Sequence, residues 1–286
     1  MGRALECIAG FATNPGATLT PITVATGQSA TIRGTDAGKG TWLLNTWAFN
    51  ATAGEERITS PRLHDQVQGI RNRVTAAQAV PLISGPINDA FAQRLYAQDN
   101  LTISLSGGAG ELDCAALLIA YDDLAGVSGR FIDQPTLIKN GLNLVTAEVT
   151  VTAVVTGQWG GGVAINSTFD NLIANTDYAI IGGMTDTRGC AVGVTGVDFG
   201  NLRVGFPCEP SIRNLTQNWF EQLSVAYSTS FMPVFNSANK TQTIIDVETN
   251  GAGGTYIVNL QLVQLLPGSV PAAATGQATT PGTQPA

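Results

Sequence analysis

Residues able to act as acids, bases or nucleophiles are few in this chain and widely scattered. His64 is its single histidine. Beside Asp65 it makes no catalytic triad, no Gly-x-Ser-x-Gly elbow occurs, and it reads as an exposed position at the start of a helix. Two adjacent carboxylate pairs, Glu55-Glu56 and Asp122-Asp123, are candidates for divided acid and base roles. The first falls in a turn and the second ends a strand, so both read as solvated ends. Calcium at Asp122-Asp123 is a non-specific option. Cys7, Cys114, Cys190 and Cys208 show neither CxxC spacing nor partner histidines, which argues against zinc. Cys114, on an apolar strand, reads as a small buried hydrophobe. Cys190 and Cys208 could bridge as a disulfide in an oxidising exterior. Gly160-Gly161-Gly162 and Gly251-Ala252-Gly253-Gly254 join strand to strand, so they lack the helix N-terminus that a phosphate loop uses. Trp42, Trp47, Trp159 and Trp219 could line a carbohydrate groove, although core packing accounts for Trp42 and Trp219 equally well. These residues converge on no active site. The expectation is a protein that is not an enzyme, with no catalytic, cofactor-binding or metal-binding residues.

Composition narrows the class further. Charged residues are 12% of the 286, against a usual share of about a quarter. Hydrophobic residues make up 44%, so the chain can fold around a core and is no disordered segment. A net charge of −7 and a pI near 4.6 exclude nucleic-acid binding through a basic surface. The densest positive stretch, Arg71 and Arg73, reads as the solvated face of a helix. No secretion signal is expected after Met1-Gly2-Arg3, and no apolar run is long enough for a membrane helix. The Asn-x-Ser/Thr sites at Asn50, Asn100, Asn166, Asn214 and Asn239 then read as chance. A low-charge surface rich in Thr, Asn and Gly suits a protein packed against copies of itself, or an extracellular β-protein.

The elements that would carry any site are strands, and one arrangement of them occurs twice. Thr243 to Leu265, TIIDVETNGAGGTYIVNLQLVQL, follows Thr102 to Leu124, TISLSGGAGELDCAALLIAYDDL, by about 141 residues. Each copy opens with Thr-Ile, crosses a Gly-Ala-Gly turn (108–110 and 251–253) and returns as an apolar strand. The pattern predicts a β-hairpin in each. Ahead of each hairpin stands a run at helical spacing. Leu63, Val67, Ile70 and Val74 follow Ser60-Pro61, and Ile212, Leu215, Trp219, Phe220 and Leu223 follow Pro210 with Ser211 as N-cap. Proline-led connectors follow at Val80-Pro81 and Met232-Pro233.

Further strands are expected at 22–24, 30–32, 42–52, 142–156, 178–184 and 191–206. Turns are expected at 53–56 and 160–162, bulges or close approaches at Gly182-Gly183 and Gly193, and a short helix at 86–98. The glycine- and proline-bearing stretch 125–141 places a boundary near 135. That gives units 1–135 and 136–266. The uncharged tail 267–286, rich in Pro, Ala, Thr and Gly, cannot form a core.

Two consecutive β-units with a helix ahead of the last hairpin, low charge and an extended tail resemble one viral family. It is the double jelly-roll major capsid proteins of tailless icosahedral phages with internal membranes and, at a larger scale, adenovirus hexon. The residues carrying the resemblance are the two Gly-Ala-Gly hairpins and the segments 60–77 and 211–225, and it spans roughly 15–266. It implies an all-β fold of two consecutive jelly rolls with short inserted helices, and a major capsid protein assembling as pseudo-hexameric trimers in an icosahedral virion shell. The implied partners are neighbouring capsomers, penton or minor capsid proteins and an internal membrane where one exists. No cofactor and no sequence-specific nucleic-acid contact are implied. The implied location is the virion, after assembly in the host cytoplasm. Alternatives are a phage spike, fibre or glycan-binding β-protein using aromatics such as Trp159, or a single jelly-roll capsid protein whose repeat is chance.

Overall fold

The structure is a computed structural model that describes residues 3–34, 40–49, 53–63, 65–74, 92–107, 112–122, 124, 127–153, 155, 157–166, 171–249 and 254–270. Its first part contains β1 (Arg3–Thr13), β2 (Thr20–Pro21), β3 (Thr23–Val24), β4 (Thr41–Phe49) and β5 (Gly54–Thr59). It continues with β6 (Ile70–Val74), β7 (Gln93–Leu95), β8 (Thr102–Ser106) and β9 (Leu112–Asp122). These strands form two sheets, ordered β3-β1-β9-β4-β7 and β2-β8-β5-β6. Between the sheets lies a core of Ala4, Ile8, Leu43, Ile58, Ile103, Leu105, Leu117, Ile119 and Tyr121.

The rest of the chain contributes β10 (Phe131–Ile132), α1 (Gln134–Asn140), β11 (Gly141–Ala153), β12 (Trp159–Ala164), β13 (Asp177–Thr185) and β14 (Ala191–Thr195). After these come β15 (Arg203–Pro207), α2 (Arg213–Thr216), α3 (Trp219–Ala226), β16 (Met232–Asn236), β17 (Ile244–Glu248) and β18 (Gly254–Leu265). The sheet orders are β10-β16-β13-β18-β11 and β12-β17-β14-β15. The halves share a plan. β1, β9, β4 and β7 are neighbours in the order taken by β11, β18, β13 and β16, and β2, β8, β5 and β6 match β12, β17, β14 and β15. The chain is therefore all-β in antiparallel sheets, with short helices confined to the second half among the described residues.

Several sequence expectations hold. β4, β11 and β13 stand where expected, and in β18 the alternation buries Tyr256, Val258, Leu260 and Leu262 while the residues between them stay half-buried. The helix expected at 211–225 is present as a 3-10 turn followed by α2 and α3, burying Trp219, Phe220 and Leu223. Its cap is Glu209, whose side chain accepts from the Ser211 N–H, and not Ser211 itself. Gly182 sits at a register shift of β13, where a Cβ would stand 2.2 Å from the Thr216 carbonyl oxygen.

Other expectations are corrected. Neither repeat is a hairpin: β8 and β9 lie in different sheets, as do β17 and β18. Sequence neighbours of this kind can cross from one layer to the other, and their backbone groups then pair with distant strands. The Gly-Ala-Gly turns themselves lie outside the described residues. No helix forms at the described positions of 60–77. The Ser60 hydroxyl accepts from the N–H groups of Arg62 and Leu63, and the Asp65 carboxylate accepts from those of Val67 and Gln68. These local side-chain bonds stabilise turns in place of a helical ladder, and Ile70–Val74 then pairs with β5. Gly54–Glu56 is strand where a turn was expected. Gly160–Gly162 lies inside β12 at a bulge, with Gly161 and Gly162 at φ +98° and +40°. Of the expected 86–98 helix, Gln93–Leu95 is strand and 86–91 lie outside the described residues. The expected strand 191–206 is two strands separated by a 3-10 turn at Val197–Phe199. The short runs at 22–24 and 30–32 reduce to β3 and a single bridge from Thr31 to Asn100.

Candidate functional site

The sheet containing β1, β9 and β4 is buried on both faces, and its second face makes a seam with the other half. Strand alternation points Leu5, Cys7 and Ala9 of β1, and Cys114, Ala116 and Leu118 of β9, into one cluster with Val192, Val204 and Phe206. Small residues allow the close approach: a Cβ on Gly205 of β15 would stand 2.7 Å from the Cys7 side chain. Trp47 of β4 crosses the seam. Its indole N–H donates to the Cys190 carbonyl at 2.9 Å, and its ring meets Trp219 edge-on at 5.5 Å between centroids.

Within this seam three metal-ligand atom types converge. The Sγ atoms of Cys114 and Cys190 and a carboxylate oxygen of Glu248 all lie within 4.8 Å of one another. Cys114 is on β9, paired in register with Phe11 and Phe49. Cys190 immediately precedes β14, and its N–H donates to the Glu248 carbonyl at 2.8 Å. Glu248 ends β17, opposite Ala191 and Trp159. All three residues have no exposed surface. Neither Glu248 oxygen receives a hydrogen bond from an N–H or O–H group among the described residues, and its polar neighbour is the Cys190 thiol. Burial pushes the Glu248 carboxyl up to about 8. Burial also raises the Cys114 thiol, and it drives the Cys190 thiol well above its ordinary value with the help of Cys114.

All four cysteines are free and buried. The disulfide considered for Cys190 and Cys208 is absent: the Cys190 thiol neighbours Cys114, while Cys208 donates to the Thr187 carbonyl. Cys114 is buried as expected.

The remaining candidates are already engaged. Trp159 is held at the seam's rim, with the Arg203 guanidinium 4.4 Å above its ring and its N–H donating to Gln28 Oε1 at 2.7 Å. Gln28 in turn donates to the Cys7 carbonyl at 2.6 Å, and Arg203 pairs with Asp246 at 2.7 Å. That indole is half-buried, with its N–H and a ring contact already taken up by the protein itself. Trp42 donates to Asp122, whose other oxygen holds Arg3, so this carboxylate is not a solvated strand end. Glu55 and Glu56 point to opposite sides of β5. Glu55 is clasped by Arg57 and Arg71, and Glu56 is buried against Thr46 and Asn72. Arg71 and Arg73 are strand residues of β6 and not a helix face. His64 and Asp123 lie outside the described residues.

Sequence reasoning passed over Glu248 and its partners because the three residues are far apart along the chain. One signal was available. In Ile244–Glu248 two acids alternate with Ile and Val, which places carboxylates on a strand face that has to be satisfied in the interior.

No protein-family model matches this chain, and no curated protein does. Among solved structures, the PBSX exported protein XepA is similar over 91% of this chain and 86% of that chain, at 9% identity and a TM-score of 0.26. A likeness that slight carries no inference about fold or function.

Proposed function

We propose that this chain is a major capsid protein of two consecutive jelly rolls, 1–135 and 136–266 with the 267–286 tail, that assembles as pseudo-hexameric trimers into an icosahedral shell. The observation that carries the reading is the strand order. With the two-residue strands β3 and β10 set aside, each half has eight strands, of which one sheet runs first-eighth-third-sixth and the other second-seventh-fourth-fifth, and the permutation occurs twice in one chain. Eight strands folded into two such sheets make a jelly roll, an architecture shared by capsid, lectin and cupin domains. Two of them stacked through a common buried seam favour the capsid among these.

The surface adds support. β11 lies at the end of its sheet, and its first four residues are exposed. Leu142 is 48% exposed, Leu144 65%, and Ile138 of the adjoining α1 74%. An apolar row along an open strand edge is a site that a neighbouring subunit would cover. The work proposed is mechanical, carried out in the virion beside other capsomers, penton or minor capsid proteins and any underlying membrane. It needs no cofactor, catalytic step or direct nucleic-acid contact. Light scattering followed by negative-stain imaging tests this. Particles at three times the 29.7 kDa chain mass with a hexagonal outline, or closed shells, are expected. Leu142→Lys with Leu144→Lys should shift the mass to one chain while leaving the melting temperature in place. A wild-type protein that stays a compact monomer at high concentration overturns the capsid role, and elongated rods point to a spike or fibre.

A further inference from the structure

We propose that Cys114, Cys190 and Glu248 form a binding site for one zinc ion that clamps the two halves of the chain across their seam. The three side chains come from β9 on one side and, on the other, from the residue just before β14 and the end of β17. Their donor atoms lie within 4.8 Å of one another. A tetrahedral ion with bonds of about 2.0–2.3 Å would draw them in by small side-chain rotations. The donor set of two thiolates and a carboxylate suits zinc over the harder calcium or magnesium, which take oxygen ligands.

The second observation is Glu248 itself. A carboxyl group with no exposed surface and no N–H or O–H partner among the described residues is an unsatisfied polar group in a β-protein interior, and a cation in the space it faces would satisfy it. Binding displaces the thiol protons, which leave to solvent. The second Glu248 oxygen or one water completes the coordination. The site is independent of the capsid reading, since it depends only on the seam.

The test uses the full chain, folded under reducing conditions, loaded with zinc and freed of excess ion. Elemental analysis should find one zinc per chain. Cobalt in its place should give an intense sulfur-to-cobalt charge-transfer band. Cys190→Ala and Glu248→Gln should each weaken zinc by more than the roughly 10–100-fold that follows loss of an outer-shell partner, whereas Cys208→Ala should retain it. Should either ligand variant fail to fold, chelation of wild-type protein gives the same answer, because removal of the ion should lower its melting temperature. Under a tenth of an equivalent of zinc in folded wild-type protein overturns the proposal. So does zinc retained by both ligand variants, or a two-hydrogen mass loss that maps to a Cys114–Cys190 disulfide in the native protein.

Discussion

Arg130 gives the sharpest test of how the second half is held together. It is buried just before β10. Its guanidinium donates to both oxygens of Asp177 at 2.9 and 2.6 Å, and it lies 3.6 Å from Asp198. Its side chain is 7% exposed, against 10% for Asp177 and 7% for Asp198, so little solvent screens the group. Arg130→Met keeps most of the volume and leaves two carboxylates without their cation. Breaking a buried ion pair from one side costs about 3–5 kcal/mol. The lower end applies here, because Asp177 Oδ1 keeps the Asn236 amide and Asp198 Oδ2 keeps the Asn236 N–H and the Asn239 amide. A loss of about 3 kcal/mol should appear in urea denaturation followed by tryptophan fluorescence. The triple variant Arg130→Met, Asp177→Asn, Asp198→Asn should recover much of that loss, because neutral replacement of a buried ionic group is often tolerated. A single variant within about 1 kcal/mol of wild type, or a triple variant no better than the single, refutes the argument.

Two further outcomes are expected. The adjacent carboxylates of β5 should titrate in opposite senses. Arg71 and then Arg57 hold Glu55 down at about 2, so it contributes stability above the ordinary carboxylate range that is lost as pH falls toward 2, and Glu55→Gln should remove this acid-side loss. Burial raises the Glu56 carboxyl, so its contribution is complete below the ordinary range and declines as pH rises through its folded value. Glu56→Gln should flatten that decline in melting temperature against pH. At the seam, Gly205→Ala should cost about 1–3 kcal/mol by overpacking against Cys7. Gly254→Ala, whose nearest contact would be Tyr256 at 3.9 Å, should stay within about 0.5 kcal/mol. Urea midpoints of the two variants decide it.

The sequence by itself determined that the chain is all-β and placed many of the elements. Tyr256 to Leu262 alternates so cleanly that only a half-buried strand satisfies it, and Trp219, Phe220 and Leu223 can share a buried face only on a helix. The continuous apolar run Cys114 to Ala120 also foretold β9, a strand with no solvated face, because it lies between two cores. The segment 60–77 carries the same helical spacing as 211–225, yet Ser60 and Asp65 satisfied the backbone locally and β5 claimed what followed. Only the tertiary structure decided that the strands flanking each Gly-Ala-Gly turn belong to different sheets. It also placed Cys114 beside Cys190 instead of leaving Cys190 to Cys208, and it buried Glu248 between them. The physical reason is the same in each case. Periodicity records which face of a strand avoids water, whereas pairing partners and seam contacts depend on register between strands far apart in the chain, and no local pattern carries that register.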